Sequence, residues 1–376
     1  MKVIKRIWRK RKKLIKFINT IKIWGCKMKR VSYLIFIIVL LFGFVITLNK
    51  GFSQEKECPF FKESLHYDAH GMAYWYSKEK GGIEKLTGIP YDKLSCNHCH
   101  AKTCDRCHKV EKDGIPAYSV KQAKSMENCL SCHAREKALL GLIKKGEIKD
   151  VHFSKGMECM SCHTAREIHG DGKRYVSMRE PGAMDVNCEK CHQKPSTIPH
   201  KIHKDKLDCT ACHVRQVITC ANCHMDTFIK TGKKTFVPLR NWVFLINYNG
   251  KVVSGNIQTF VVNKNQTFVV YAPYFSHHVV KPGRSCEECH GTDIVKEINK
   301  GEIEITRIEN GKLVNIKGVI PIVEGVKYKN AYMEYVDRKW IPLENLEEPL
   351  HQFAAFGKPL TKGQLRKLMM PFKSRK

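Results

Sequence analysis

The chain has 376 residues, with 66 Lys and Arg against 36 Asp and Glu, a formal net charge of +30. That length bounds the fold to one or two domains. A basic surplus of this size invites a nucleic-acid or membrane-surface reading. Fourteen of the positive charges, however, fall in residues 1–53, which contain no acid, leaving +16 for the rest.

Those first 53 residues run as a basic stretch, Met1 to Arg30, followed by eighteen mostly apolar residues, Val31 to Leu48. Gly51 and Ser53 are small residues at the −3 and −1 places of a signal cleavage site. Eighteen apolar residues also suffice to span a bilayer, so residues 1–53 read either as a signal peptide or as an N-terminal membrane anchor. In both cases the basic flank stays in the cytoplasm and the bulk of the chain is exported, to the periplasm or the extracytoplasmic face of the membrane. Cys58 follows in Glu-Lys-Glu-Cys, a context without the small apolar residues of a lipoprotein signal, and reads as an idle thiol.

His66 and His70 come next, four residues apart and on one face if the segment is helical. Then the chain reads Cys-x-x-Cys-His eight times. The copies are Cys96, Cys99 and His100; Cys104, Cys107 and His108; Cys129, Cys132 and His133; and Cys159, Cys162 and His163. The rest are Cys188, Cys191 and His192; Cys209, Cys212 and His213; Cys220, Cys223 and His224; and Cys286, Cys289 and His290. This is the attachment signature of c-type haem. Two thiols three positions apart form thioethers to the vinyl groups of one porphyrin, and the adjoining His reaches the iron from one face. Zinc sites do not require His directly after the second Cys. A thioredoxin-like site has one CxxC in a βαβ pattern, and a disulfide framework does not repeat one spacing with His fixed behind it. Eight haems bring sixteen propionate charges, which balance the +16 of the mature chain, so the Lys and Arg read as propionate partners and no nucleic acid is called for.

Seven of the motifs fall between Cys96 and His224, within 129 residues. So little polypeptide per porphyrin leads us to expect haems forming much of the interior, with short helices and loops around them. After Met225 the composition changes. Residues 236–280 are rich in Val, Phe, Tyr and Thr, with turn signals at Asn249-Gly250 and Asn263-Lys-Asn-Gln, and read as a β-meander inserted before the last motif. A second β-like stretch, Ile303 to Pro342, contains Asn310-Gly311. From Pro349 to Lys376 there is no acid and seven Lys or Arg, a basic tail that reads as a solvated end.

The motifs and the spacing around them resemble the multihaem, specifically octahaem, c-type cytochromes. His152 lies six residues before Cys159 and His203 five before Cys209, similar to the H-x5/6-CxxCH units of the small low-potential cytochromes of the c3 and c7 type. In those relatives the upstream His ligates a different haem from the one it precedes. Ten His lie outside the closing positions of the motifs, enough to close all eight irons. The candidates for the second axial position are His66, His70, His152, His169, His200, His203, His277 and His278, with His98 and His351 in reserve. The fold class expected is a mostly α and irregular multihaem cytochrome with haems forming the core, plus a β-rich C-terminal portion. The division expected is 1–53, a seven-haem region 54–230, and a β-rich region 231–376 carrying the eighth haem and the basic tail.

A haem held by protein on both faces passes electrons, whereas one with an open face binds a substrate. Eight c-type haems with complete His ligation imply an exported electron carrier in a respiratory chain. Its partners would be other redox proteins, a membrane donor and a periplasmic or outer-surface acceptor, with membrane attachment through the N-terminal segment. The rival reading is an octahaem oxidoreductase acting on a nitrogen or sulfur oxyanion at one open haem. Several such enzymes carry a catalytic motif ending in Lys, and here all eight end in His.

Overall fold

A computed structural model describes residues 60–94 and 100–370, which belong to one compact unit, Pro59–Lys376. The N-terminal segment 1–53 with its apolar run, Cys58, the reserve His98, and Cys96 and Cys99 of the first motif lie outside the described residues, as do the last six residues of the basic tail. Among the described residues no helix is long and apolar enough to cross a membrane.

The expectation of a mostly α and irregular chain built around haem is overturned. Helix and strand shares are close, about 30% and 26%, and a large multi-sheet β region holds a peptide core of its own. The physical reason lies in residues 237–273. Their β-branched and aromatic side chains form long strands buried on both faces, which need no cofactor to exclude water.

The strands, in chain order, begin with a hairpin, β1 (Lys109–Lys112) and β2 (Ile115–Tyr118), turned at Asp113-Gly114, where both residues have positive φ. Next come β3 (Val217–Ala221), β4 (Cys223–His224), β5 (Val237–Tyr248), β6 (Lys251–Val261) and β7 (Thr267–Pro273). The remaining strands are β8 (Glu302–Glu304), β9 (Thr306–Glu309), β10 (Lys312–Asn315), β11 (Gly318–Pro321), β12 (Lys327–Lys329), β13 (Met333–Val336), β14 (Lys339–Pro342) and β15 (Leu350–Phe353). The main sheet has seven strands in the order β11-β5-β6-β7-β15, with β3 paired to β5 and β4 to β6. β5, β6 and β7 form an antiparallel meander. Asn249 and Gly250, both at positive φ, make the two-residue turn between Tyr248 and Lys251, as a primed hairpin turn requires. Asn310-Gly311 closes β9 onto β10 in the same way. Parallel strands β11 and β15 flank the meander, beside β5 and β7 respectively.

Trp242, Phe244, Ile246, Ile257, Tyr271, Ile320 and Ile322 are fully buried in this sheet's core. Each side chain of this size contributes about 1.5–3 kcal/mol on leaving water. A second cluster, Ile83, Leu94, Cys223, Met225, Phe228, Phe260, Val262 and Phe268, packs the segment 83–94 against the sheet. Among the described residues before 217, apart from the β1–β2 hairpin, the chain is a succession of short helices and turns, of which the longest helix is Ala134–Lys144.

Candidate haem-binding sites

Six of the motifs fold alike. In those ending at His108, His133, His163, His192 and His290, the His backbone N–H donates to the carbonyl of the first Cys, at 2.8–3.0 Å. In the sixth, Cys209–His213 is a helical turn throughout, with Asp208 accepting the Thr210 N–H at 2.9 Å as its cap. An i to i+4 turn brings both thiols and the His to one side of the backbone. The cysteines of these turns are free thiols, paired in no disulfide. Cys104, Cys162, Cys188 and Cys191 are exposed; Cys107, Cys129, Cys132, Cys159, Cys209, Cys212, Cys286 and Cys289 are half-buried. The second Cys of each of five turns donates its backbone N–H to the carbonyl of the first at 3.2 Å, as Cys107 does to Cys104, which holds it in its own turn.

Each of these six motif His rings faces one His from outside the motifs. Ring centroids are 6.0 Å apart for His108 with His169 and for His192 with His152. They are 6.3 Å apart for His133 with His66, 6.2 Å for His163 with His277, 6.3 Å for His213 with His200, and 6.1 Å for His290 with His203. Metal–imidazole bonds of about 2 Å on opposite sides of one metal put two ring centroids about 6 Å apart. The spacing, repeated six times and always joining one motif His to one other His, fits an iron between the rings. No cluster of three or more His, Cys, Asp or Glu among the described residues is suited to a bare metal ion. A porphyrin supplies four of the iron's bonds, so two facing His are enough.

Neutral imidazoles ligate metals. Burial lowers the pKa of His66 to about 4, helped by the neighbouring His133 and His100, and its buried Nδ1 has no hydrogen-bond partner among the described residues. Burial likewise lowers His133 and His169. His277 differs: burial disfavours its charge, but Glu136 beside it overrides burial and raises its pKa. The His277 Nδ1 lies 2.8 Å from Glu136 Oε2, and the His163 Nδ1 lies 2.7 Å from Glu167 Oε2. The rings of His203, His213 and His200 are oriented by neutral oxygens. His203 Nδ1 meets the Pro199 carbonyl at 2.9 Å, His213 Nδ1 the Val280 carbonyl at 3.0 Å, and His200 Nδ1 the Thr197 Oγ1 at 2.6 Å. Ring orientation by such partners fixes which nitrogen is left for the metal.

The upstream His do not face the motifs they precede. His152 lies opposite His192 rather than His163, and His203 opposite His290 rather than His213. His66 lies opposite His133 of the motif at Cys129, and its carbonyl accepts the Ala101 N–H at 2.9 Å, which ties it to the end of the first motif. Two candidates are placed otherwise. His70 Nε2 contacts the Tyr175 carbonyl at 2.7 Å and its Nδ1 contacts Asp68. His278 is 5% exposed, and its Nδ1 is buried with no hydrogen-bond partner among the described residues. Reserve His351 sits on β15, stacked on Tyr271 at 5.9 Å. Of the first motif, His100 is half-buried and close enough to His66 to depress its pKa.

The motif Cys220–His224 does not fit a haem as it is folded. Cys220 and Ala221 lie in β3, paired with Pro238 and Val237 of β5, while Cys223 and His224 form β4, paired with Phe260 and Val261 of β6. Asn222 links them at φ 52°, and its N–H donates to Thr259 Oγ1 at 2.9 Å. His224 is 4% exposed, its Nε2 is 2.9 Å from the Met333 carbonyl, and its ring packs on Trp340. With Cys220 and Cys223 in separate strands, no i to i+4 turn gathers the two thiols and the His on one side of the backbone. Sequence reasoning missed this because the residues match the motif while their partners lie far along the chain.

Neighbouring motifs touch in succession. Arg106 reaches Cys132 Sγ at 3.3 Å, and the thiols of Cys129 and Cys159 are in hydrogen-bonding contact. Burial, and then the nearby Cys191, raises the Cys162 thiol pKa, and Cys188 and Cys209 are in hydrogen-bonding contact. The Arg284 backbone N–H donates to the Cys212 carbonyl at 3.1 Å, and burial, with Cys212 close enough to add to it, raises the Cys289 thiol pKa. The motifs starting at 104, 129, 159, 188, 209 and 286 thus form one continuous series, which bypasses Cys220. No family model, curated protein or solved structure matches the chain.

Proposed function

We propose that the protein is an exported multihaem c-type cytochrome whose role is to carry electrons along a row of haems ligated by His on both faces. The observation that carries this reading is the set of six His pairs, each spaced for one iron. Haem, when bound, supplies a one-electron couple at its iron. The chain's residues supply the rest. The cysteine pairs anchor the porphyrins, the facing His leave no open coordination position at these six sites, and the contacts between successive motifs hold the cofactors near one another. The acid-free N-terminal segment with Val31 to Leu48 supports export, with a membrane donor and an outer-surface or periplasmic redox acceptor as partners.

Electron paramagnetic resonance of the oxidised holoprotein tests this. Full ligation predicts low-spin iron at the six paired centres. Replacing the distal partner in His203→Ala should convert one centre to high spin while covalent haem content stays the same. A preparation with no covalent haem, or a His203→Ala spectrum identical to that of the parent, overturns the reading. A stoichiometric high-spin haem in the parent that responds to nitrite, hydroxylamine or a sulfur oxyanion points to the oxidoreductase instead.

A further inference from the structure

The six His pairs are not equivalent in what lies behind their rings. Only at His163 and His277, among the pairs described, does a carboxylate stand at the Nδ1 of both rings. These carboxylates are built into the fold. The Glu167 side chain is 2% exposed; its Oε1 accepts the backbone N–H groups of Asp185 and, at 2.7 Å, Val186. The Thr164 N–H adds a bond to Oε2 at 3.3 Å, within a capping box. Glu136 lies in the first turn of helix Ala134–Lys144, and its Oε1 accepts the Tyr274 hydroxyl. Half-buried Arg135, beside the same tyrosine at 4.8 Å, helps to hold that ring in place.

We propose that Glu136 and Glu167 are positioning residues that make the His163–His277 centre the most reducing of the six. The proposal rests on the haem reading above. A carboxylate drawing on the Nδ1 proton of an axial imidazole makes that imidazole a stronger donor through its other nitrogen. Oxidation removes one electron from the iron and leaves one more positive charge, which two nearby fixed anions and two stronger donors stabilise. The neutral acceptors behind His200, His203 and His213 give no comparable bias. The centre also has a telling place, because its motif is third of the six in the continuous series. An electron crossing the protein must pass through this least favourable site. Reduced equivalents would therefore gather on either side of it, in the pair of motifs at 104 and 129 and in the trio at 188, 209 and 286.

The test is a spectroelectrochemical titration of the holoprotein, comparing the parent with Glu136→Gln, Glu167→Gln and the double variant. Gln keeps the shape of Glu and an amide oxygen able to accept from the backbone or from the imidazole. The expected result is that the most negative midpoint moves positive in each single variant and further in the double, with the others in place and the haem content unchanged. Glu136→Gln leaves the Asp185–Val186 turn untouched, so it reads the effect even if the Glu167 variant folds poorly. Unchanged midpoints, or a shift spread evenly over all centres, overturn the proposal while leaving the carrier reading standing. Absence of covalent haem in the parent overturns both.

Discussion

Asp150 joins two segments that each carry a His of the paired set, and its removal should be costly. The residue is 1% exposed. Its Oδ1 accepts the backbone N–H groups of His152 at 2.7 Å and Phe153 at 2.8 Å, and its Oδ2 accepts the N–H of Val279 at 2.7 Å. Val151 adds a backbone bond to the Val279 carbonyl at 3.0 Å. In Asp150→Ala three N–H donors lose a carboxylate, each such bond being worth about 1.5–3 kcal/mol net. His152, Phe153 and Val279 are only half-buried, so water replaces part of what is lost and the lower end applies, a total of about 4 kcal/mol. Asp150→Asn keeps an oxygen for His152 and Phe153 but turns an amide NH2 toward Val279, so it should cost about 2 kcal/mol. Denaturant unfolding of the holoprotein, followed by far-ultraviolet circular dichroism, reads both as shifts in midpoint at constant slope. The same variants should loosen the His152–His192 and His163–His277 centres first, as high-spin iron appearing at subdenaturing concentrations. A loss below about 1 kcal/mol for Asp150→Ala, or equal losses for Ala and Asn, refutes the three-bond account.

Two further outcomes follow from the site. The Cys220→Ala/Cys223→Ala double variant should keep the parent's covalent haem content, read by intact mass and absorbance, because that motif is folded as strands; loss of one haem shows that attachment does occur there. The Arg166 guanidinium, followed by the Thr164 hydroxyl, lowers the Asp185 pKa to about 2. Its contribution is therefore present above the unfolded carboxylate value near 4 and disappears as pH falls toward about 2. The pair is partly exposed, so Asp185→Asn should cost about 1 kcal/mol or less at pH 6 and nothing at pH 2. A stability difference that stays constant across that range counts against this assignment.

Much of what bears on function is local and legible without a fold. The i to i+4 turn that sets two thiols and a His on one side needs only five residues, and six motifs adopt it wherever the chain takes them. The Asn249-Gly250 and Asn310-Gly311 turns are equally local, since both residues must take positive φ and few others do so cheaply. The spare His could be counted, but their partners could not be assigned.

Which His meets which motif is a matter of long-range packing. His277 reaches His163 across more than a hundred positions, and His66 reaches His133 past two intervening motifs. The same holds for the carboxylates behind the rings, which are ordinary acidic residues until helix Ala134–Lys144 meets the segment at 274–277. Tertiary structure also separated Cys220–His224 from its look-alikes. Five residues fitted for a helical turn are drawn into strands because β5 and β6 present long apolar edges, and pairing with them outweighs the local preference of a short segment. The sequence by itself determined the chemistry each motif is equipped for. Only the fold decided which motifs have a partner across an iron's width, because that depends on contacts between residues far apart in the chain.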